Sequence, residues 1–354
     1  MTVASSDSSD SSETLAHNGL PGPHPGTPAR RPGSVRRTTS LDLTRPHGPD
    51  GPLHVGGRAR DLHTDADGTP RVIGSALASL TVEDGIVTAL STYPRRPALA
   101  QLIGRRALVG WRTGLWRTIR EDVVSGSDLH QLLDDLPGGF VISGFTRGRA
   151  LALASGGDPL PQPGRRLDVC AGWASDSRAA RILDETGSAP RAVTPPAPPL
   201  LDDADPHGWH TWPATPIWGI SRRRRIDAWV DSHSGDPHSG DPQRPIHVDA
   251  MFRDSFVDHE GVERVLHEYT LHAQVGRTAY PVLDVTTAGR VLPHHECPVA
   301  AASAQQILGM PCDDLRDRVS TALYGPESCT HLNDGLRSLT DVPAMLMAAG
   351  LLEP

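Results

Sequence analysis

The chain contains no lysine, so all 34 residues counted as Lys+Arg are arginine. A Schiff-base lysine, a pyridoxal anchor and the lysine of a phosphate-binding loop are thereby excluded. Cysteine is also scarce: Cys170, Cys297, Cys312 and Cys329 are scattered over 354 residues. Four dispersed thiols cannot staple a chain of this size, so no disulfide scaffold is expected. No apolar run reaches the roughly 18 residues that cross a bilayer. The opening "MTVASSDSSDSSETLAHNGLPGPHPG" lacks the basic and apolar regions of a signal peptide. These absences lead us to expect a cytoplasmic protein with reduced thiols and no membrane partner. Gly-rich dinucleotide, Walker and Gly-x-Ser-x-Gly signatures are missing too, which disfavours nucleotide hydrolysis and α/β-hydrolase chemistry. With a net charge of -8 and scattered arginines, nucleic acid is not expected as a partner.

What the chain does contain is a copy of itself. Residues 1–34, rich in Ser, Asp, Pro and Gly, read as a disordered tail. Beyond them, "PLHVGGRARDLHTDADGTPRVI" (52–73) aligns without a gap to "PIHVDAMFRDSFVDHEGVERVL" (245–266). Pro52, His54, Val55, Arg60, Asp61, Asp65, Gly68, Arg71 and Val72 recur as Pro245, His247, Val248, Arg253, Asp254, Asp258, Gly261, Arg264 and Val265. Upstream, "RRTTSLDLTRP" (36–46) is set against "RRRIDAWVDSH" (223–233). Downstream, "SDLHQLLDDL" (127–136) faces "THLNDGLRSL" (330–339).

The repeat decides one ambiguous stretch. "GVERVLHEYTLHAQV" can pass for a helix, but its counterpart alternates and turns at Glu83-Asp84-Gly85, so strands are predicted in both. The expected fold is α+β: a tandem duplication with repeats at 35–145 and 222–354. Each half is an antiparallel sheet of three or four strands followed by two helices, and the halves pack as a pseudo-two-fold pair, a fused dimer in one chain. Residues 146–221 form a Pro-rich, partly structured connector. The tandem "HSGDPHSGDP" (233–242) reads as a loop expansion.

Chemistry concentrates in the second repeat, in "YGPESCTHLNDGLRSL" (324–339). Cys329 and His331 stand at the mouth of the last main helix, opposite Gly126 and Asp128 of the first repeat, and Cys297 lies opposite Ala98. The first copy makes the same turns without these side chains, so folding does not require them. A cysteine at a helix N-terminus beside an imidazole suits a thiolate nucleophile. Alternatively Cys297, Cys329 and His331, with His294 as fourth ligand or His295 or Cys312 in its place, suit zinc. Plain packing of reduced cysteines is the competing structural reading.

Weaker signals take bland readings. The run Arg222–Arg225 reads as a solvated strand edge rather than a phosphate or CoA-like anion site. His54 with Arg60 and Asp61, repeated as His247 with Arg253 and Asp254, reads as a structural salt bridge beside a strand-end histidine. Trp209, His210 and Trp212, with Trp173, either line a pocket or staple the connector down.

The second half closely resembles a bacterial family known as domain of unknown function 2889. The resemblance rests on Arg224 and Arg225 in an opening strand, on Pro293 with Cys297 after the hairpin, and on Ser328-Cys329-Thr330-His331-Leu332 opening the last helix. Ser328 replaces the family's glycine. The first half resembles the pattern more weakly, through Arg36, Arg37 and "GWR" at 110–112. The resemblance implies no activity. "HHEC" (294–297) with "PCDDL" (311–315) is partly similar to zinc deaminases, but Leu315 stands where their second cysteine would be.

The leading expectation is a small-molecule site on Cys297, Cys329 and His331, using thiol or metal-assisted chemistry. The rival is a non-enzymatic binding or scaffold protein whose cysteines only pack.

Overall fold

The computed structural model describes residues 19–156, 167–188, 190, 192–231 and 244–353. The tandem "HSGDPHSGDP" and residues 1–18 of the expected tail lie outside them.

One antiparallel sheet of eight strands runs through the molecule in the order β4-β3-β2-β1-β5-β6-β7-β8. The first half supplies β1 (Ser34–Thr44), β2 (Leu53–Thr64), β3 (Pro70–Glu83) and β4 (Ile86–Tyr93). The second supplies β5 (Ile220–Val230), β6 (Ile246–Val257), β7 (Glu263–Val275) and β8 (Val282–Val291). Each half is a meander, and the two meanders join where β1 pairs antiparallel with β5. The stretch that could pass for a helix is strand β7, as its period of two indicates.

After β4 come α1 (Trp111–Thr118), α2 (Arg120–Val124), α3 (Asp128–Asp134) and α4 (Leu136–Ala154), and the connector adds α5 (Arg178–Thr186). After β8 come α6 (Leu315–Ala322), α7 (Thr330–Ser338) and α8 (Val342–Ala348). Helices α3, α4, α7 and α8 pack on a single face of the sheet. This face presents Leu41 and Leu43, with Leu53, Val55 and Ala59, in the first half, and Ile226, Ala228, Val248 and Leu271 in the second.

The opposite face is covered by irregular chain. Residues 19–31 and the connector from about 195 to 218 lie across its centre. Arg36 donates to the carbonyls of Pro28 and Gly208, and Arg253 donates to those of His24 and Pro198. His210 bridges the hydroxyls of Thr38 and Ser40 at 2.8 Å each, and Trp209 packs with Leu200 and Met251. These residues therefore staple the connector, while Trp173 sits elsewhere, against His294. Residues 19–33, part of the stretch expected as a tail, are placed against the sheet. There a few backbone hydrogen bonds to buried arginines supply the anchoring that apolar side chains do not.

Two readings of the sequence need correction. Arg222, Arg223, Arg224 and Arg225 are no solvated edge: β5 is a central strand, and all four are 1–2% exposed. Each meets a carboxylate of another element: Asp254 for Arg222, Asp42 for Arg223, Asp135 for Arg224 and Asp249 for Arg225, which also pairs with Asp227 on its own strand. Burial of charge is tolerated because every cation is paired and hydrogen-bonded. Arg60 and Asp61 do not pair either, and nor do Arg253 and Asp254, because successive strand residues point to opposite faces. Asp61 is instead held by Arg37, and Asp254 by Arg222.

Candidate functional site

The site grows from one cross-strand rung. Asp254 on β6 stands directly opposite His267 on β7, and the register shifts just beyond this pair. Such a bulge re-aims side chains and is common beside functional sites. From β5, Arg222 clamps Asp254 with two hydrogen bonds, Nε to Oδ1 at 2.7 Å and Nη2 to Oδ2 at 2.9 Å. From above, α7 brings His331 down onto His267, with ring centroids 3.8 Å apart and planes 20° apart.

Asp254 Oδ2 lies 3.9 Å from His267 Nδ1 and 3.9 Å from His331 Nε2, too far for hydrogen bonds. His267 Nδ1 has no hydrogen-bond partner although it is buried. Among the described residues, Asp254, His267 and His331 alone bring three potential ligand atoms within 4.8 Å of one another. An ion equidistant from atoms so spaced would sit about 2.3 Å from each, close to zinc–nitrogen and zinc–oxygen bond lengths. Because the two rings are stacked, their in-plane lone pairs run side by side. Binding an ion therefore requires one imidazole to turn about its Cβ–Cγ bond.

The cysteines flank this group. Cys329 occupies the position before α7, and its Sγ is 3.9 Å from His331 Nδ1, on the ring edge facing away from Asp254. The Tyr269 hydroxyl, also buried, faces the Cys329 thiol without a regular hydrogen bond. Cys297 begins the 3-10 stretch Cys297–Ile307 and packs against Gly172 of the connector, where a Cβ would come within 2.5 Å of its Sγ. His294 borders the same glycine and meets Trp173 edge-on at 4.9 Å. The connector is pinned here by the Ala171 amide, which donates to the Ser328 carbonyl at 2.9 Å. Cys312 is buried in the core of the second half, and no disulfide is formed.

Electrostatics separates the two chemistries read from the sequence. Burial pushes the Cys329 thiol up to about 11, overcoming the amides of Leu332 and His331 and the Tyr269 hydroxyl, which favour thiolate. Burial, with the Cys329 thiol next, raises Cys297 further. Both are protonated thiols at neutral pH and poor nucleophiles. Burial, then the Arg222 guanidinium, lowers His331 to about 3, and burial with His331 itself lowers His267. Both imidazoles are thus neutral, the state in which histidine ligates a metal.

Arg222 also links the site to the other half. Its Nη1 donates to Asp334 Oδ2 at 2.9 Å, and Asp334 accepts from Arg337 and from Arg112 of the first half. Burial disfavours ionised Asp334, but these arginines outweigh it and hold the carboxyl well below the ordinary range. Only a glycine at 138 admits Arg222 here, because a Cβ would lie 2.0 Å from its Nη1.

The fold thus brings Cys329 and His331 together, with Cys297 and His294 on one flank. The sequence motifs mark Asp254 only as a salt-bridge residue and do not single out His267. His267 had a signal in the sequence all the same, since the ungapped alignment of 52–73 with 245–266, carried on, sets it opposite Gly74, as Cys329 is set opposite Gly126. A groove of about 420 Å³ lined by Ala322, Leu323, Tyr324, Pro326, Glu327 and Ser328 ends at the residue before Cys329.

No curated protein matches the chain. A solved structure described as the crystal structure of lipopolysaccharide binding protein shares 8% identity over 87% of this chain and 92% of that one, with a TM-score of 0.13, too low to carry an argument. Residues 220–345, which hold β5 through α8 and with them Asp254, His267, Cys297, Cys329 and His331, match the family described as a protein of unknown function (DUF2889).

Proposed function

We propose that the chain is a small-molecule-handling protein whose second half carries a mononuclear metal centre on Asp254, His267 and His331. The observation that carries this reading is the buried triangle of Asp254 Oδ2, His267 Nδ1 and His331 Nε2, in which neutral imidazoles stand 3.9 Å from a carboxylate and His267 Nδ1 has no partner. Two imidazoles and one carboxylate leave coordination positions open, as in catalytic zinc and non-haem iron sites. An ion there would polarise a carbonyl or activate a water for a molecule arriving by way of the Ser328 groove. Cys329 and Cys297 are protonated neighbours that pack beside the group, which favours the metal over the thiolate reading. All four cysteines are thiols, in keeping with a reducing, cytoplasmic setting.

The same reading treats the two halves as copies of one unit. In both, the register of the second and third strands shifts after the equivalent aspartate, Asp61 or Asp254. In both, an arginine on the first strand clamps that aspartate through Nε and Nη2. This matches Arg37 with Arg222, so the first strands align two residues away from the alignment read from sequence. Gly74, Asp128 and Gly126 then stand where His267, His331 and Cys329 would be, and only the second copy has the ligands.

Metal analysis of the purified protein tests the centre. About one equivalent of zinc or iron is expected, lost in His267→Ala and His331→Ala and kept in Cys297→Ser. Wild-type protein that carries none and takes up none from zinc(II) or iron(II) would refute it.

A further inference from the structure

The irregular layer covers the centre of the sheet but leaves the outer face of β2, β3 and β4 open. The strand register fixes what that face presents. Gly56, Ser79 and Ser91 form one rung across the three strands, and Arg58, Leu77 and Tyr93 form the next. Between and beside them is a groove of about 410 Å³. Its floor is low because the first rung carries only glycine and serine. Leu77 and Tyr93 stand up beside it, 50% and 64% exposed.

Nothing in the packing calls for Gly56. A Cβ there would meet no atom within 4 Å, and its backbone is not left-handed. Glycine inside a strand weakens it, and where packing gives no reason it often marks close approach by a ligand. One end of the groove is positive. Arg58 Nη1 is 4.0 Å from Asp42 Oδ2, but the other Asp42 oxygen already accepts from Arg223 at 2.5 Å. The next outward residue on the strand, Arg60, is pushed down to about 10 by burial and then by Arg36 and Arg30, and its Nε has no acceptor. Cations therefore outnumber the carboxylates within reach, and the less buried Arg58 can turn outward to an anion.

The second copy has no counterpart. Asp249 replaces Gly56 and binds Arg225, and Met251 replaces Arg58 and is buried beneath Trp209. We infer that the first half binds a small carboxylic acid with an apolar body, its carboxylate on Arg58 and its body over Gly56, Ser79 and Ser91 against Leu77 and Tyr93. The groove fits such a molecule on both counts, with a cation at one end and uncharged walls along its length. The first half, which lacks the metal ligands, thereby has a binding role of its own.

Calorimetric titration of the full chain with octanoate and with 4-phenylbutanoate tests this, with 1-octanol as the uncharged control. Saturable binding of at least one acid is expected, weaker by about tenfold or more in Arg58→Gln and in Gly56→Leu. Neither variant should lower the thermal midpoint, because position 56 has open space for a side chain and Arg58 is half-exposed, and His331→Ala should bind normally. Wild-type protein that binds neither acid, or variants that bind as well as wild type, would overturn the inference. Binding of octanol as tight as that of octanoate would overturn the carboxylate contact.

Discussion

At the scale of single residues, the centre of the molecule is held by charges that the sequence suggests would face water. Arg222 is the clearest case. Its guanidinium serves Asp254, Asp334 and the stack on Phe252 together, at 1% exposure. Arg222→Ala leaves two buried carboxylates short of a partner and should cost about 3–5 kcal/mol, read from urea unfolding. A loss below about 1 kcal/mol would mean that water reaches the pair. The histidines make a second prediction. His331 and His267 are held below the ordinary imidazole value, so the unfolded chain binds their protons more readily than the folded one. Their contribution is complete above about pH 6.5 and is lost as pH falls toward about 3. Between about pH 6.5 and pH 4.5, above the range where carboxylates titrate, the urea midpoint should fall, and less so in His331→Gln. An equal slope in the variant would contradict the assignment. The thiols should also be sluggish: half-buried Cys170 should react with iodoacetamide faster than Cys329, the reverse of what an activated nucleophile would show.

At the scale of elements, much was legible and the reasons are physical. The period of two in β7, reinforced by the Glu83-Asp84-Gly85 turn in its counterpart, identified a strand that composition alone would have made a helix. The helix start at Cys329-Thr330 was legible too, and α7 does begin at Thr330 with Cys329 before it. The fate of the arginine run could not be read. A local pattern carries no record of Asp42, Asp135 and Asp254, which reach β5 only through tertiary folding. His267 is marked in the sequence only by its alignment with Gly74, and its chemical meaning comes from its register partner Asp254 and from α7 above it. Element packing also yields a sharp test at Gly138, near the start of α4. In Gly138→Ala the new Cβ would lie 2.0 Å from Arg222 Nη1 and 2.6 Å from Asp334 Oδ2. A loss of about 1–3 kcal/mol is expected, against a gain of about 0.5–1 kcal/mol for Gly144→Ala in the interior of the same helix, where the Cβ meets nothing. Equal effects would show that α4 does not press on Arg222.

At the scale of the whole molecule, the halves share one sheet and exchange carboxylates. Asp341 of the second half reaches Arg37 of the first, while Asp135 of the first reaches Arg224 of the second. Neither half can leave without exposing β1 or β5 and stranding buried charge. Heat or urea should therefore unfold the chain in a single transition by both fluorescence and circular dichroism, and two separated transitions would contradict this coupling. On this shared frame we propose a division of work, an acid-binding groove in the first half and a metal centre in the second. No helix among the described residues is long and apolar enough to cross a membrane. The most direct test of the metal centre is the absorption spectrum of the protein titrated with cobalt(II). One equivalent bound is expected, with visible bands typical of nitrogen and oxygen ligands and no thiolate-to-cobalt charge-transfer band, and with all binding lost in His267→Ala. A strong thiolate band, or no cobalt bound at all, would contradict the proposed centre.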